Sequence, residues 1–433
     1  MNSSYDVVVI GAGPAGLAAA CGAKDAGARV CILERENRPG GILKQCIHDG
    51  FGTLEFRERL TGPEYAYRYC LMCAERNIPV HLDTCVTGLD RRDGGFFLRA
   101  VSPAEGLMTI EAGAVVFATG CRERTAKQIF LHGTRPAGVI TAGLAQYFIN
   151  IMGYLPGKRC VILGSGDIGL IMARRLVLEG AKVAGVFEIL PEPSGLTRNI
   201  VQCLEDYDID LHLRKTVTRV HGTRRVEAVT VSSVDEKGRP VRGTEQELPC
   251  DTLILSVGLI PENDLLQPLG LRLDSITRGP AVDQTGMTEI PGLFSCGNAL
   301  QVNDLVDYVS ESGRTAGTAA ARFAVTPGTA SAGGNSLPVV PEGNIRTLVP
   351  QRVDVGKPGP WVFYFRSSRS MDRAKLTVTA GEQELCSIDL RLVRPPEIER
   401  IEIDCPGLTG GPASGGTEKP AISGITFFLE EIE

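Results

Sequence analysis

The sequence predicts an α/β protein with two successive β-α-β units and a small all-β domain toward its C-terminal end. Three observations carry this. Tyr5-Asp6-Val7-Val8-Val9-Ile10 is an apolar run of strand length, followed by a glycine turn, an Ala-rich helical stretch to about Asp25 and a second strand from Arg29 to Glu34. The same succession recurs at Arg159-Cys160-Val161-Ile162-Leu163, with its own glycine turn, helix and a strand from Lys182 to Glu188. From residue 345 the pattern changes to alternating segments, such as Trp361-Val362-Phe363-Tyr364-Phe365 and Lys375-Leu376-Thr377-Val378-Thr379, with no helical period. Continuous apolar strands belong to a parallel sheet buried on both faces, whereas alternation marks an antiparallel sheet with one buried face.

Between these landmarks the remaining elements fall in order. Residues 64–77 read as a helix and 78–101 as strands joined by a Gly94-Gly95 turn. Ala114 to Gly120 is a short buried strand ending in glycine, and strands fill 210–258, ending in Leu253-Ile254-Leu255-Ser256-Val257-Gly258. Residues 292–298 form a strand-to-loop element, and a helix rich in small residues is predicted from about Ser310 to Phe323. Residues 326–343, rich in Pro, Gly, Ser and Ala, read as a linker, and 344–433 as the β domain, expected to be an antiparallel sandwich. Within it, 406–418 reads as a flexible loop.

Composition narrows the function classes. The 433 residues are enough for two or three domains, and 43% apolar with 22% charged is ordinary for a globular chain. A net charge of −6 gives no reason to expect nucleic acid or an anionic membrane as partner. No apolar stretch is long enough to span a bilayer, and Met1-Asn2-Ser3-Ser4-Tyr5-Asp6 lacks the basic start and apolar core of a secretion signal. The 13 cysteines are scattered, several inside apolar elements (Cys31, Cys160), which fits reduced thiols and a cytoplasmic location better than a disulfide framework. No metal-ligand set is expected.

The glycine turns carry the first chemistry. In Gly11-Ala12-Gly13-Pro14-Ala15-Gly16, Gly11 permits the tight turn, Gly13 lets the backbone approach a pyrophosphate, and Gly16 allows close helix–strand packing. The following helix directs its N-terminal N–H groups at the phosphates. Glu34 ends the next strand 23 residues after Gly11, where a carboxylate accepts hydrogen bonds from a ribose. The second turn, Gly164-Ser165-Gly166-Asp167-Ile168-Gly169, has its acid, Glu188, 24 residues after Gly164. A carboxylate there favours a free 2′-hydroxyl over a 2′-phosphate, and no arginine adjoins it, so NAD(H) is expected in preference to NADP(H). Both units are therefore read as Rossmann-like dinucleotide-binding domains.

The run from 5 to 323 resembles the FAD- and NAD-dependent pyridine-nucleotide oxidoreductases. The resemblance implies that the N-terminal turn holds FAD and that an NAD domain is inserted in the FAD domain, giving an FAD domain over 1–122 and 280–325 and an NAD domain over 123–279. Ala118-Thr119-Gly120 resembles the chain-crossing motif of that superfamily, Ser256-Val257-Gly258-Leu259-Ile260-Pro261 its second copy, and Gly292-Leu293-Phe294-Ser295-Cys296-Gly297-Asn298 its late FAD motif. Asn298 stands where an aspartate is usual. The resemblance also carries Arg35, Gly41 and Val86 into the expected FAD contacts.

Many members of the superfamily pass electrons to a cysteine pair, and neither usual position has one here. The loop Gly40-Gly41-Ile42-Leu43-Lys44-Gln45-Cys46-Ile47-His48 holds a single cysteine, and Pro136-Ala137-Gly138-Val139-Ile140-Thr141-Ala142-Gly143 holds none. Cys70-Leu71-Met72-Cys73 lies in a predicted helix and reads as core. The Gly138–Gly143 segment instead resembles FAD/NAD subunits of multi-subunit amine and amino-acid dehydrogenases, including the hydrogen-cyanide-synthase and opine-oxidase types. Gln45-Cys46-Ile47-His48, Leu60-Thr61-Gly62-Pro63-Glu64-Tyr65, Gly195-Leu196-Thr197-Arg198-Asn199 and Asp304-Leu305-Val306-Asp307-Tyr308-Val309 resemble a bacterial group encoded beside a glycerol-3-phosphate-dehydrogenase-like flavoprotein and a small cysteine-containing protein. That implies an electron-transfer partner for such a second dehydrogenase; self-association stays open.

Hydride transfer between nicotinamide and flavin needs no side-chain acid or base, so catalytic residues are hard to infer. Cys46 and His48, in the loop expected near the flavin, are the candidates for tuning it, moving a proton or meeting a partner's carrier; a packed thiol and a hydrogen-bonded histidine are the plainer reading. Cys121 and Cys296 read as small buried residues. The helix from about Ser310 is expected to direct its N-terminus at the flavin, and Arg198 either reaches the NAD phosphates or serves the surface or a helix start. Three functions are carried forward: an NADH:acceptor flavoenzyme within a complex, a self-sufficient dehydrogenase of a small amine, amino acid or hydroxy acid, and a non-catalytic nucleotide-binding scaffold.

Overall fold

A computed structural model describes residues 2–92, 94–325, 336–356, 360–404 and 423–433. The chain forms two compact bodies: Met1–Lys44, His48–Cys121 and Pro261–Glu433 make the first, Gln45–Ile47 and Arg122–Ile260 the second. The return to the first body thus comes earlier than residue 280. Leu266 and Leu271 are buried in the core that also holds Val8, Leu33 and Phe117, and the Asn263 amide donates to Ala299 O at 2.8 Å.

In the first body the strand Asn2–Ile10 lies between Val30–Leu33 and Gly106–Phe117, parallel to both, with Val7 opposite Val30 and Ala114. Val80–His81 extends one side and Leu293–Ser295 pairs with Gly106–Phe117, also in parallel. Cys85–Arg92 and Gly95–Ser102 continue as an antiparallel meander. Val7, Val8 and Val9 have no exposed surface, as the continuous apolar run requires. The helix Pro14–Asp25 crosses the helix Val306–Val325 so closely that a Cβ on Gly313 would stand 2.2 Å from Ala15 O, and one on Gly317 1.9 Å from Ala19 O. The predicted late helix therefore starts at Val306, before Ser310, and the helix expected over 64–77 is Gly62–Glu75. The latter opens with a capping box in which Thr61 and Glu64 satisfy each other's backbone N–H.

The C-terminal segment belongs to this same body. A five-stranded sheet (Arg352–Asp354, Ser336–Gly343, Ile425–Glu431, Met371–Ala380, Gln383–Val393) and a three-stranded one (Ile345–Val349, Trp361–Ser367, Glu399–Ile403) share a core of Trp361, Phe363, Phe365, Leu376, Val378 and Phe427. Two expectations change here. Ser336–Gly343, placed in the linker by composition, is a strand, and it pairs with Ile425–Glu431 in parallel, so the module is not purely antiparallel. Residues 326–335 of the expected linker and the expected 406–418 loop lie outside the described residues.

Arg400 fixes the module to the helix Val306–Val325 with Nε 2.9 Å from Glu311 Oε2 and Nη2 2.7 Å from Oε1, while Tyr364 donates to Oε2 at 2.5 Å. Asp304 accepts from Arg366 Nη2 at 2.8 Å and from Ile398 N at 3.2 Å.

The second body repeats the parallel plan. Val139–Thr141, Thr252–Leu255, Arg159–Leu163, Lys182–Phe187 and Leu211–His212 form a five-stranded sheet in that order, every pair parallel. A four-stranded sheet (His132–Gly133, Lys215–His221, Ala228–Ser233, Gln246–Pro249) closes over it around Val217, Val229 and Leu253. Among the described residues, no helix is long and apolar enough to cross a membrane, and no group of three or more His, Cys, Asp or Glu is placed to hold a metal ion.

Candidate functional site

The first glycine turn is built by close backbone approach. Gly11 has φ +102°, and a Cβ there would stand 2.5 Å from Ala118 O. Gly16 would place a Cβ 1.9 Å from Gly11 O, so neither position tolerates a side chain. Gly13 is different, because nothing lies within 4 Å of where its Cβ would be. It is the N-cap of Pro14–Asp25, with Pro14 in the first turn and no side chain capping the helix start. Unclaimed helix N–H groups above an open glycine are what a pyrophosphate needs.

Around this turn the structure gathers most of the predicted FAD contacts. A Cβ on Gly41 would stand 2.9 Å from Gly13 Cα, and one on Gly297 2.7 Å from Ala15 Cβ. Ala118 N donates to Ile10 O at 3.0 Å, Thr119 Oγ1 to Glu262 O at 2.7 Å, and space is open over Gly120. Glu34, 7% exposed, accepts from Ala12 N on Oε2 at 2.7 Å and from Glu36 N on Oε1 at 2.8 Å. Each oxygen keeps an acceptor position for a hydroxyl. Asn298 donates to Cys121 Sγ at 3.6 Å and accepts from Asn303 N at 3.0 Å, so it orders its own loop. Arg35 is exposed, and Val86 is buried among the residues of the antiparallel meander.

The second turn copies the first. Gly164 has φ +95°, with a Cβ position 2.1 Å from Ser256 O, and a Cβ on Gly169 would meet Ser256 Cβ at 2.7 Å and Gly164 O at 2.8 Å. At Gly166 the nearest atom is Ser256 Oγ at 3.5 Å, and it too is the uncapped start of a helix, Asp167–Leu178. Asp167 Oδ1 accepts from Leu196 N at 2.8 Å and Asn199 Nδ2 at 2.7 Å, tying the 195–199 segment to the helix start. Ile168 packs against the core of the parallel sheet, and Arg198 is exposed in the short helix Thr197–Cys203. Gly258 (φ +102°) accepts from Arg124 N at 3.1 Å just past the Thr252–Leu255 strand. Glu188 is 4% exposed and accepts from Ser165 N at 2.9 Å.

The two catalytic candidates belong to different bodies. Cys46 belongs to the second body, where Gln45 Nε2 donates to Gly143 O at 2.8 Å and Asn150 Nδ2 to Gln45 O at 2.8 Å. Burial pushes the Cys46 thiol up to about 12, despite a hydrogen bond to Gln146 Oε1 at 3.9 Å. His48 belongs to the first body, where Nδ1 lies 3.3 Å from Asp49 O and the ring tilts on Phe51 at 4.9 Å.

Three features escape sequence reading. Ser312 Oγ accepts from Gly297 N at 3.0 Å, Asp307 accepts from Glu55 N at 3.0 Å with its carboxyl raised by burial, and Ser165 and Ser194 both donate to Glu188. The second joins residues 252 apart and the first a loop to the helix that follows it, and neither leaves a local signal. The serines lie beside a recognised turn and a recognised acid, so an inventory of hydroxyls there would have found them.

Residues 5–322 match the pyridine nucleotide-disulphide oxidoreductase family. An opine oxidase subunit of Agrobacterium tumefaciens (strain Ach5) is 28% identical over 344 residues, 74% of this chain and 66% of that protein. Hydrogen cyanide synthase subunit HcnB of Pseudomonas aeruginosa is 29% identical over 282 residues, 61% of this chain and 59% of that protein. The chain thus spans less than two thirds of the length of these curated relatives. A crystal structure of thioredoxin reductase from T. acidophilum shares the fold, with TM-score 0.61 and 23% identity over 75% of this chain and 99% of that one. With both glycine cradles formed and this match across them, the chain belongs to the pyridine nucleotide-disulphide oxidoreductase family.

Proposed function

We propose that this chain is the NAD(H)-linked flavoprotein component of a larger dehydrogenase or oxidase. It would hold FAD on Gly11, Gly13, Pro14, Ala15, Gly16, Glu34, Gly41, Ala118, Thr119, Gly120 and Gly297, with Arg35, Val86 and Asn298 at its edges. NAD(H) would lie on Gly164, Gly166, Asp167, Ile168, Gly169, Glu188 and Gly258, with Arg198 within reach of its phosphates. The observation that carries the reading is the duplicated cradle: an open glycine at an uncapped helix start, with a buried carboxylate at the end of the next strand.

Bound flavin and nicotinamide supply the hydride chemistry themselves. The residues bind and orient. Helix N–H groups above Gly13 and Gly166 take the phosphates, and Glu34 and Glu188 take ribose hydroxyls. The Glu188 carboxylate repels a 2′-phosphate, and Ile189 and Leu190 after it offer no cation, which supports NAD(H) over NADP(H). Cys46, held as a neutral thiol, packs the Gln45–Ile47 loop and is not given a redox step.

A partner is supported by the relatives, which are named as subunits of larger enzymes. A glycerol-3-phosphate-dehydrogenase-type flavoprotein with a small cysteine-containing protein is the partner set favoured by the Gln45–His48 and Asp304–Val309 motifs. The test is anaerobic titration of the purified protein with NADH and separately NADPH, following the flavin band. Stoichiometric bleaching by NADH alone is expected. A yellow protein that neither nucleotide bleaches would overturn the reading and move a self-sufficient dehydrogenase ahead of it.

A further inference from the structure

The two ribose-facing carboxylates are placed alike but bonded differently. Glu34 takes one backbone N–H on each oxygen, from Ala12 and Glu36. Glu188 has the equivalent pair, Ser165 N on Oε2 at 2.9 Å and Leu190 N on Oε1 at 3.1 Å. It then adds two hydroxyls, both on Oε2: Ser165 Oγ at 2.6 Å and Ser194 Oγ at 2.9 Å. Oε2 thus takes three donors, whereas Oε1 takes Leu190 N alone and keeps a position for one ribose hydroxyl. For a second ribose hydroxyl to bond Oε2, one of its donors has to leave. Ser165 N is fixed by the glycine turn, and Ser165 Oγ is held by Ser194 N at 2.9 Å. Ser194 lies in the segment 189–196, which has no helix or strand, so its hydroxyl is the one free to swing away.

The first cradle has nothing comparable. The residue after Gly11 is Ala12, where the second cradle has Ser165, and the residue six past Glu34 is Gly40, where the second has Ser194 six past Glu188. Neither Ala12 nor Gly40 carries a hydroxyl. A prosthetic group that never leaves needs no substitute donor. When a cosubstrate departs each turnover, a donor of the protein's own that takes its place spares the buried carboxylate the loss of a hydrogen bond.

Resting on the reading of the second turn as the NAD(H) site, we propose that the Ser194 hydroxyl occupies, in the empty site, the position on Glu188 that a ribose hydroxyl of NAD(H) takes over. Ser194 is thus a positioning residue that weakens NAD(H) binding and eases its exchange. Removing the hydroxyl takes away an internal competitor.

The experiment uses the full FAD-loaded chain and the redox-silent probe ADP-ribose in calorimetric titration, for wild type, Ser194→Ala and Ser194→Thr. Ser194→Ala is expected to bind about three- to tenfold more tightly, the equivalent of one modest hydrogen bond. Ser194→Thr, which keeps the hydroxyl, is expected to match wild type. In steady state the KM for NADH falls in parallel while kcat is held or drops, and FAD content is unchanged. If wild type binds ADP-ribose and Ser194→Ala binds it equally or less well, the proposal is overturned while the NAD(H) site stands. If wild type binds neither ADP-ribose nor NADH, the site reading and the proposal fall together.

Discussion

Reversing the charge at the second cradle tests the cosubstrate assignment directly. The perturbation is Glu188→Ala combined with Ile189→Arg. A 2′-phosphate placed about 4 Å from the Glu188 carboxylate would meet a repulsion of about 1 kcal/mol at the dielectric of water and about 4 kcal/mol at an effective dielectric of 20. Glu188 is 4% exposed, so the effect belongs nearer the upper figure. Allowing for relaxation of the 189–196 segment, the NADH/NADPH preference should fall by roughly ten- to a thousandfold. Absolute affinity falls for both nucleotides, because alanine strands the Ser165 and Leu190 N–H groups that now donate to the carboxylate. Each stranded donor costs about 1–3 kcal/mol, so the informative quantity is the ratio. Anaerobic bleaching of the flavin band by each nucleotide gives that ratio. A variant that retains its FAD and bleaches with NADH, yet keeps the wild-type ratio within about twofold, would refute the assignment of Glu188.

Three further outcomes follow from packing and ionisation. Cys46→Ser should leave the rate of flavin reduction by NADH within about threefold of wild type, and Cys46 should alkylate slowly up to about pH 9, since its thiol is pushed up to about 12; rapid alkylation near neutral pH contradicts this. Gly317→Ala forces a Cβ to within 1.9 Å of Ala19 O, so thermal unfolding should show a loss of about 1–3 kcal/mol together with weaker FAD retention. Arg400→Ala leaves Glu311 half-buried without its bidentate partner and should release the C-terminal module to limited proteolysis while NADH bleaching persists. Burial alone would raise the Glu311 carboxyl, but Arg400 and Tyr364 hold it below the ordinary range. Its contribution is therefore full above that range and lost as pH falls through the lowered value, so attachment of the module should weaken in acid in the wild type and lose that acid dependence in Arg400→Ala.

The parts of the fold that were legible in the sequence are those whose cause is local. Gly11 and Gly164 need positive φ, Gly16 and Gly169 need a missing Cβ, and Val7 to Val9 need burial on two sides; each demand leaves its mark within a few residues. Where the cause lies elsewhere in the chain, reading failed. At Val306-Asp307-Tyr308-Val309 the only start signal is the first-turn acid Asp307, yet the helix begins there, with Asp307 holding Glu55 N from a distant loop. Ser336–Gly343, with two prolines and a terminal glycine, resembles a linker until Ile425–Glu431 pairs with it. The Arg400–Glu311 contact joins residues 89 apart and has no sequence signal.

The thiols bear on where electrons go after the flavin. The family takes part of its name from disulphide chemistry, which needs a thiolate in reach of the cofactor. In this chain burial pushes the thiols of Cys31, Cys46, Cys160 and Cys296 up to about 12 and that of Cys250 to about 11. A thiol at about 12 is ionised at roughly one part in a hundred thousand at neutral pH. Cys21 and Cys73 do approach to 3.5 Å, and Cys21 is lowered by the hydrogen bond from Cys73. Both sit at the buried crossing of Pro14–Asp25 and Gly62–Glu75, where Cys73 also faces Leu17 O at 3.6 Å. Their approach is a helix-packing contact. Thiols held neutral or locked in the core are poor acceptors of electrons from a flavin. On the proposed reading, the electrons taken from NADH are left for an acceptor that another protein supplies.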